Sequence, residues 1–261
     1  MNVDDCSFSA KDKIKGVRIP KELDTDLAEL VGIIIGDGHL RAKGYEHGVY
    51  ISGHSDDDID YFQTRIRELF FSLFSIKHVL ISKRKGTNEL KFVIYSKAVT
   101  LFLMNTFNIP SNKSKIIRVP KLVASSSSAV KAAFLRGLAD TDFSMTFKRK
   151  YRLKHYYPVI HAAFASGQLV NDVSLILDEL GFSHYVTRTF TVDKRTNRPQ
   201  ETFHIFISGK DNFDRWFGAI GSSNPKHLNK YIIWKRFGYY PPYMTHVQRV
   251  AMIAENKVGR E

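Results

Sequence analysis

Two aspartates stand at the ends of matching stretches of this sequence, and their surroundings suit them to hold a divalent cation. Asp37 closes Leu30-Val31-Gly32-Ile33-Ile34-Ile35-Gly36-Asp37-Gly38, and Asp142 closes Leu135-Arg136-Gly137-Leu138-Ala139-Asp140-Thr141-Asp142-Phe143. A carboxylate at the C-terminal end of a helix meets the negative pole of the macrodipole, at a cost of about 0.3–1 kcal/mol. Two such carboxylates side by side also raise each other's pKa. A divalent cation relieves both effects, and the unpaired carbonyls of a helix end are further oxygen ligands. Hard oxygen donors of this kind suit Mg²⁺ rather than zinc.

The elements that must bring the aspartates together are the two stretches themselves. Ala28, Gly32 and Gly36 coincide with Ala133, Gly137 and Thr141, each set spaced by one helical turn and ending just before an aspartate. Residues four apart lie on one helix face, so each copy offers a stripe almost free of side chains. Two such stripes pack with their backbones close together, as small residues allow. Asp24 or Thr25 caps the first helix, and Gly38 is expected to end it.

The chain of 261 residues carries a net charge of +13 with 43% hydrophobic residues, long enough to bury a sizeable core. A folded protein this basic points to a polyanionic partner, first of all nucleic acid. No apolar run approaches the roughly 20 residues of a spanning helix, and the acidic start Met1-Asn2-Val3-Asp4-Asp5 is no signal peptide. A membrane partner is therefore not expected. Cys6 is the only cysteine, which excludes an internal disulfide and fits a reducing, intracellular compartment, cytoplasmic or organellar. The ten histidines show no zinc-ligand spacing, and no phosphate loop, catalytic triad or cofactor motif is present.

Along the chain, residues 1–24 read as a basic N-terminal arm and 25–124 as a first repeat. Ser125 to Ser128 form a serine linker, 129–243 a second repeat, and 244–261 a C-terminal helix and tail. In the first repeat the motif helix leads to a hairpin from Arg41 to Gly53. Next comes a helix capped by Ser55, whose acidic run Asp56, Asp57, Asp58, Asp60 is explained by the dipole at a helix start. A second hairpin and a helix opened by Ser96-Lys97 follow. The second repeat has the same order: a hairpin of Lys148–His155 and Val159–Ala165, a helix capped by Ser166, strands over His184–Val192 and Thr202–Ile207, and a helix from Gly209-Lys210. The expected fold is α+β: a pseudo-twofold duplication of an αββαββα unit, with two antiparallel sheets forming a DNA-binding saddle and the motif helices packed at the centre.

The hairpins carry much of the positive charge. Arg41, Lys43, Lys83, Arg84, Lys85 and Lys91 lie in the first repeat. Lys148, Arg149, Lys150, Arg152, Lys154, Arg188, Lys194, Arg195 and Arg198 lie in the second. Basic residues alternate there with Tyr, Thr and Ser, as a two-stranded ribbon in a major groove requires.

The paired motifs, the segment Ile109-Pro110-Ser111-Asn112-Lys113-Ser114-Lys115 and the repeat around them resemble the LAGLIDADG homing endonucleases in their single-chain, two-motif form. The resemblance runs from about Leu27 to Gly238. It implies that Asp37 and Asp142 bind metal, with the backbone carbonyls of Gly36 and Thr141 as further ligands. It also implies one basic residue per half near the scissile phosphates: Lys113 and Lys226 by position, with Lys97 and Lys210 as the alternatives. The implied activity is Mg²⁺-dependent hydrolysis of both strands of a long pseudo-palindromic duplex, leaving short 3′ overhangs. Mn²⁺ would substitute, and Ca²⁺ would bind without supporting cleavage. A monomer with divergent halves can read such a site. A maturase acting on its own intron RNA, or a non-cleaving DNA-binding protein of the same fold, are the rivals; retention of both aspartates favours the nuclease. The chain reads as freestanding, which points to an intron-encoded origin over an intein. Two departures from the family pattern stand out: Phe143 replaces the glycine after the second motif, and only His54 occupies a position suited to organising water.

Overall fold

The computed structural model describes residues 7–111, 113, 115–151, 153–193 and 197–255. Ser9 and Asp12 form a reciprocal capping box around α1 (Ala10–Ile14). Asp12 is buried and also accepts from the Ala98 amide at 3.2 Å, Val17 is buried, and the Arg18 amide donates to the Phe74 carbonyl. Residues 9–18 are thus packed onto the first repeat, which corrects their reading as an arm. Apolar and capping side chains, not overall charge, decide where this segment lies.

The motif helix α2 (Thr25–Ile35) begins at Asp24, whose carboxylate accepts from the Leu27 amide at 2.8 Å. Then come β1 (Gly38–Lys43), β2 (Glu46–His54) and α3 (Ile59–Tyr61), which runs through a π-helical turn at Phe62–Ile66 into α4 (Arg67–Phe74). β3 (Leu80–Lys83), β4 (Glu89–Tyr95), α5 (Lys97–Phe107) and α6 (Lys121–Ala124) complete the first half. The second consists of α7 (Ser128–Asp142), β5 (Phe143–Lys148), β6 (Tyr157–Phe164), α8 (Gly167–Glu179), β7 (Tyr185–Asp193), β8 (Arg198–Ser208) and α9 (Lys210–Ala219), followed by α10 (Pro225–Phe237) and α11 (His246–Glu255). Each half holds a four-stranded antiparallel sheet, ordered β1-β2-β4-β3 and β5-β6-β8-β7, so the duplication is present in the topology. One face of each sheet is apolar and buried, through Val49, Ile51, Phe92 and Ile94 in the first and Ile160, Ala162, Ile205 and Ile207 in the second. Side chains of alternating residues point to the other face.

At the centre α2 crosses α7. A Cβ on Gly32 would lie 2.2 Å from the Phe134 carbonyl oxygen, and one on Gly137 would lie 2.0 Å from that of Glu29. The crossing is therefore backbone on backbone, flanked by the buried Ala28 and Ala133. Beside it the fully buried Glu29 joins the two halves: its Oε2 accepts from Arg65 at 2.8 Å and from Arg136 at 2.7 Å. Burial pushes the Glu29 carboxyl up, but the Arg65 hydrogen bonds and the Arg136 charge outweigh it and hold its pKa below the ordinary 4.5. A depressed folded-state pKa contributes stability that is present above about pH 4.5 and lost as pH falls through the lower value. Glu29→Gln should cost about 3–5 kcal/mol at neutral pH, since it strands two partly buried guanidinium groups. Urea unfolding should show this difference narrowing on acidification.

Four local expectations are corrected. Helix α2 ends at Gly36, while Gly38 starts β1; its glycine is required because a Cβ would lie 2.5 Å from the Ile34 Cα. The strand placed at Lys148–His155 is instead β5, running directly from α7, because Phe143, Met145 and Phe147 alternate into the core. Phe143 leaves the helix in an extended conformation, which needs no glycine. Finally, the acidic run is not a helix dipole device. Asp58 pairs with Lys226 at 2.9 Å, Asp60 with His246 at 3.4 Å, Asp57 with the buried Arg249, and Asp56 with Lys83 at 3.8 Å. Three of these four bridges tie the first half to α10 and α11.

Candidate functional site

Where α2 and α7 end, the aspartates come together. Thr141 Oγ1 donates to the Leu138 carbonyl at 3.0 Å, turned back onto its own helix. It lies 2.0 Å from the place a Cβ on Gly36 would occupy, and Asp142 Oδ2 lies 3.3 Å from the same point. Only the bare backbone of Gly36 lets the two ends meet. The Asp37 carbonyl accepts from the Ser52 amide at 3.2 Å, which fixes the turn against β2.

Asp37 keeps an edge open to solvent, although protein surrounds its carboxyl. Burial, then the charges of Asp142 and Asp58, raise its pKa to about 7 against the opposing Lys226 and Lys113. Asp142 is raised to about 6 by burial, opposed by Lys113. Both shifts mark a site short of positive charge. The Lys113 ammonium sits at the same place, donating to the Ile35 and Gly36 carbonyls at the end of α2. Burial lowers its pKa to about 8, against the two aspartates. The Gly36 carbonyl expected to face a metal is thus shared with a lysine.

Lys226 is held differently. It donates to Asp58 Oδ1 at 2.9 Å, an oxygen that also accepts from Asn224 Nδ2 at 2.9 Å, while Asp58 Oδ2 accepts from the His54 amide at 2.8 Å. His54 Nδ1 in turn accepts from the Asp56 amide at 3.3 Å. The structure therefore puts Lys113 on the aspartate pair and Lys226 beside it in a bridge to Asp58. Lys97 and Lys210 open α5 and α9. The Asp58–Asn224–Lys226 network was missed from sequence because Asp58 and its partners belong to different halves. Helix α10 was missed too, although Asn224, Pro225 and Gly238 are a full set of helix stop and start signals.

Among the described residues no group of three or more His, Cys, Asp or Glu is placed to hold a metal. Two carboxylates and the carbonyl oxygens of two helix ends nevertheless form an all-oxygen donor set that suits a hard cation, which completes its shell with water or phosphate.

The basic residues fall into groups. Arg41, Lys43 and Lys91 alternate onto the open face of the first sheet, where Arg41 pairs with Glu46 at 3.1 Å and Lys91 with Glu89 at 3.3 Å. Arg84, which bonds Glu89 at 3.2 Å, and Lys85 lie in the turn before β4. Lys83 pairs with Leu90 and so turns to the opposite face. In the second half Lys148 and Arg198 end or begin strands on the open face. Arg149 donates to His155 at 3.0 Å, Lys150 lies 3.3 Å over Tyr157, and Lys154 lies 4.4 Å over Tyr239, all from the connection between β5 and β6. Arg188 pairs with Phe203 and turns to the apolar side. Arg152, Lys194 and Arg195 lie outside the described residues. The open face also carries neutral groups absent from the sequence reading: His39, Tyr50 and Tyr95 on the first sheet, and His161, His204, Phe206 and Tyr185 on the second.

Residues 129–221 match the family model described as a LAGLIDADG-like domain. Among curated proteins, an A-type ATP synthase catalytic-complex polypeptide of Pyrococcus abyssi (strain GE5 / Orsay) is 27% identical over 206 residues, 77% of this chain; the match spans 17% of that relative's length. Among solved structures, the homing endonuclease I-DmoI in complex with DNA and Ca covers 78% of this chain and 95% of its own at 19% identity, with a TM-score of 0.52. Its complex with DNA and Mn covers 77% and 98% at 21% identity, with a TM-score of 0.51. The duplicated architecture is that fold. No helix among the described residues is long and apolar enough to cross a membrane.

Proposed function

We propose that this chain, a LAGLIDADG protein of the single-chain, two-motif form, is a site-specific DNA endonuclease that cuts both strands of a long target by divalent-metal-dependent hydrolysis. The observation that carries this reading is the meeting of Asp37 and Asp142 at the ends of two crossed helices, with both carboxyls raised in pKa and Lys113 between them. Asp37 and Asp142, with the Thr141 and Gly36 carbonyls, would hold Mg²⁺ or Mn²⁺. When bound, the cation supplies Lewis acidity and an activated water. Lys113 and Lys226 place positive charge beside the phosphate, where charge develops as the bond breaks. The open faces of the two sheets lie along the duplex, and a monomer suffices because both halves are present in one chain. I-DmoI, of the same fold, has been solved with DNA together with Mn or Ca.

The nucleotide chemistry implied by the name of the ATP synthase relative is not carried over, since this sequence has no phosphate loop. In that relative the likeness is to a segment of a longer polypeptide, so an origin within a host protein stands beside the intron-encoded one.

Incubation with a randomised duplex library and Mg²⁺, followed by sequencing of cut ends, tests the reading. One specific site cut in both strands is expected; specific binding without cleavage under Mg²⁺ or Mn²⁺ would leave a DNA-binding protein instead. The pair's raised pKa values, about 7 and about 6, give a pH signature. Below pH 6 a cation must displace protons from both carboxyls, and above pH 8 from neither. Mg²⁺ affinity should therefore rise with pH across this window and level off above it. Calorimetry in buffers of different ionisation enthalpy should show proton release on binding.

A further inference from the structure

The open face of the second sheet holds a hydrogen-bonded relay that the first sheet lacks. His161 Nε2 lies 3.0 Å from His204 Nδ1, and His204 Nε2 lies 2.9 Å from Thr189 Oγ1. The two imidazoles are 13° from parallel with centroids 5.3 Å apart. That separation is what an N–H···N bond lying in both ring planes produces, as opposed to a face-to-face stack. Phe206 covers His161 at 4.5 Å, and Tyr185 covers Phe206 at 4.9 Å. The strand register puts these side chains on one face, across β6, β8 and β7, opposite the buried Ile160 and Ile205. On the first sheet His39, Tyr50 and Tyr95 meet tilted or edge-on, at 6.1 Å.

Hydrogen counting limits what this relay can do. A neutral imidazole carries one N–H and a threonine one O–H, so the three groups share three hydrogens. Two are consumed inside the relay, whichever way it runs. If Thr189 donates to His204 and His204 to His161, the remaining hydrogen is on His161 Nδ1, and Thr189 can only accept. If the direction reverses, Thr189 holds the outward hydrogen and His161 Nδ1 is a bare acceptor. Burial, together with His204 and Lys148, lowers the His161 pKa, which keeps the relay neutral near pH 7. One end can donate outward at a time, never both.

Building on the DNA-binding reading, we infer that the Thr189–His204–His161 relay couples base choice at two neighbouring positions of one half-site. A base presenting only acceptors in the major groove, such as guanine through N7 and O6, needs a donor. The relay serves such a base at one end and rejects a second at the other. Pairs offering acceptors to both ends are selected against beyond what either position alone predicts.

The test is a binding selection of the full chain against a randomised duplex library near pH 7.5, scored for pairwise coupling between positions. For the wild type we expect one pair of nearby positions at which double-acceptor combinations are depleted about tenfold beyond the product of the single-position preferences. His204→Phe keeps a ring in the stack but cuts the relay, and Thr189→Val removes its end at an exposed position. Both should make those positions additive, with thermal midpoints near wild type verifying the fold. A specific but additive wild-type profile overturns the relay alone, as does coupling that survives in both variants. Failure to enrich any duplex overturns the DNA-binding reading and the relay with it.

Discussion

Asp37→Asn and Asp142→Asn should each lower double-strand cleavage by about three orders of magnitude while leaving duplex affinity within a few-fold. Each substitution keeps the size of the side chain and removes one anionic oxygen donor. A bound cation supplies several kcal/mol of charge stabilisation to a reaction of this kind, and about 4 kcal/mol corresponds to a thousandfold. Affinity is spread over the sheets and does not depend on these two groups. Stability should move the opposite way from activity. Both carboxyls have folded-state pKa values above the ordinary 3.8, so their ionisation disfavours the fold once pH exceeds that value. At pH 8 in the absence of divalent metal, either asparagine variant should melt above the wild type. Single-turnover cleavage of both strands and thermal melts measure the two effects on the same samples. Cleavage by either variant at the wild-type rate would remove the proposed chemistry.

Gly137→Ala sets helix propensity against packing. Alanine is favoured over glycine within a helix by about 1 kcal/mol, which by itself predicts a more stable protein. The added carbon would lie 2.0 Å from the Glu29 carbonyl oxygen, 2.8 Å from its carbon and 3.1 Å from the Ile33 nitrogen. Every one of these atoms is backbone of the facing helix, so no rotamer change relieves the overlap. The two helices must separate, which loosens the Glu29–Arg136 bridge and moves Asp37 away from Asp142. The cost should reach or exceed the upper end of the about 1–3 kcal/mol usual for overpacking. For a chain of this size that is a fall of roughly 10 °C in thermal midpoint. A variant melting at or above the wild type would show that the helices do not cross at this glycine.

Much of this was legible in the sequence because it depends on short-range rules. The small residues at Ala28, Gly32, Ala133 and Gly137 reveal a helix crossing, since spacing on a helix fixes which side chains share a face. The caps at Asp24, Ser96 and Ser166 form as expected, because a cap bonds an amide a few residues away. Alternation likewise disclosed the repeated hairpins. Composition misled at the N-terminus, where Asp12 and Val17 outweigh the surrounding lysines.

What the tertiary structure alone decided are the relations between the halves. Asp58 reads as one member of an acidic helix start, yet its partners Asn224 and Lys226 lie in the other half. The two lysines that align in sequence are consequently unequal, one seated on the end of α2 and the other in an ion pair. Strand register, which a one-residue change reverses, turned Lys83 and Arg188 away from the open faces and brought Thr189, His204 and His161 into line. Sequence spacing specifies which side chains share an element; the distance between elements, and hence which charges and hydrogens meet, exists only once they are packed.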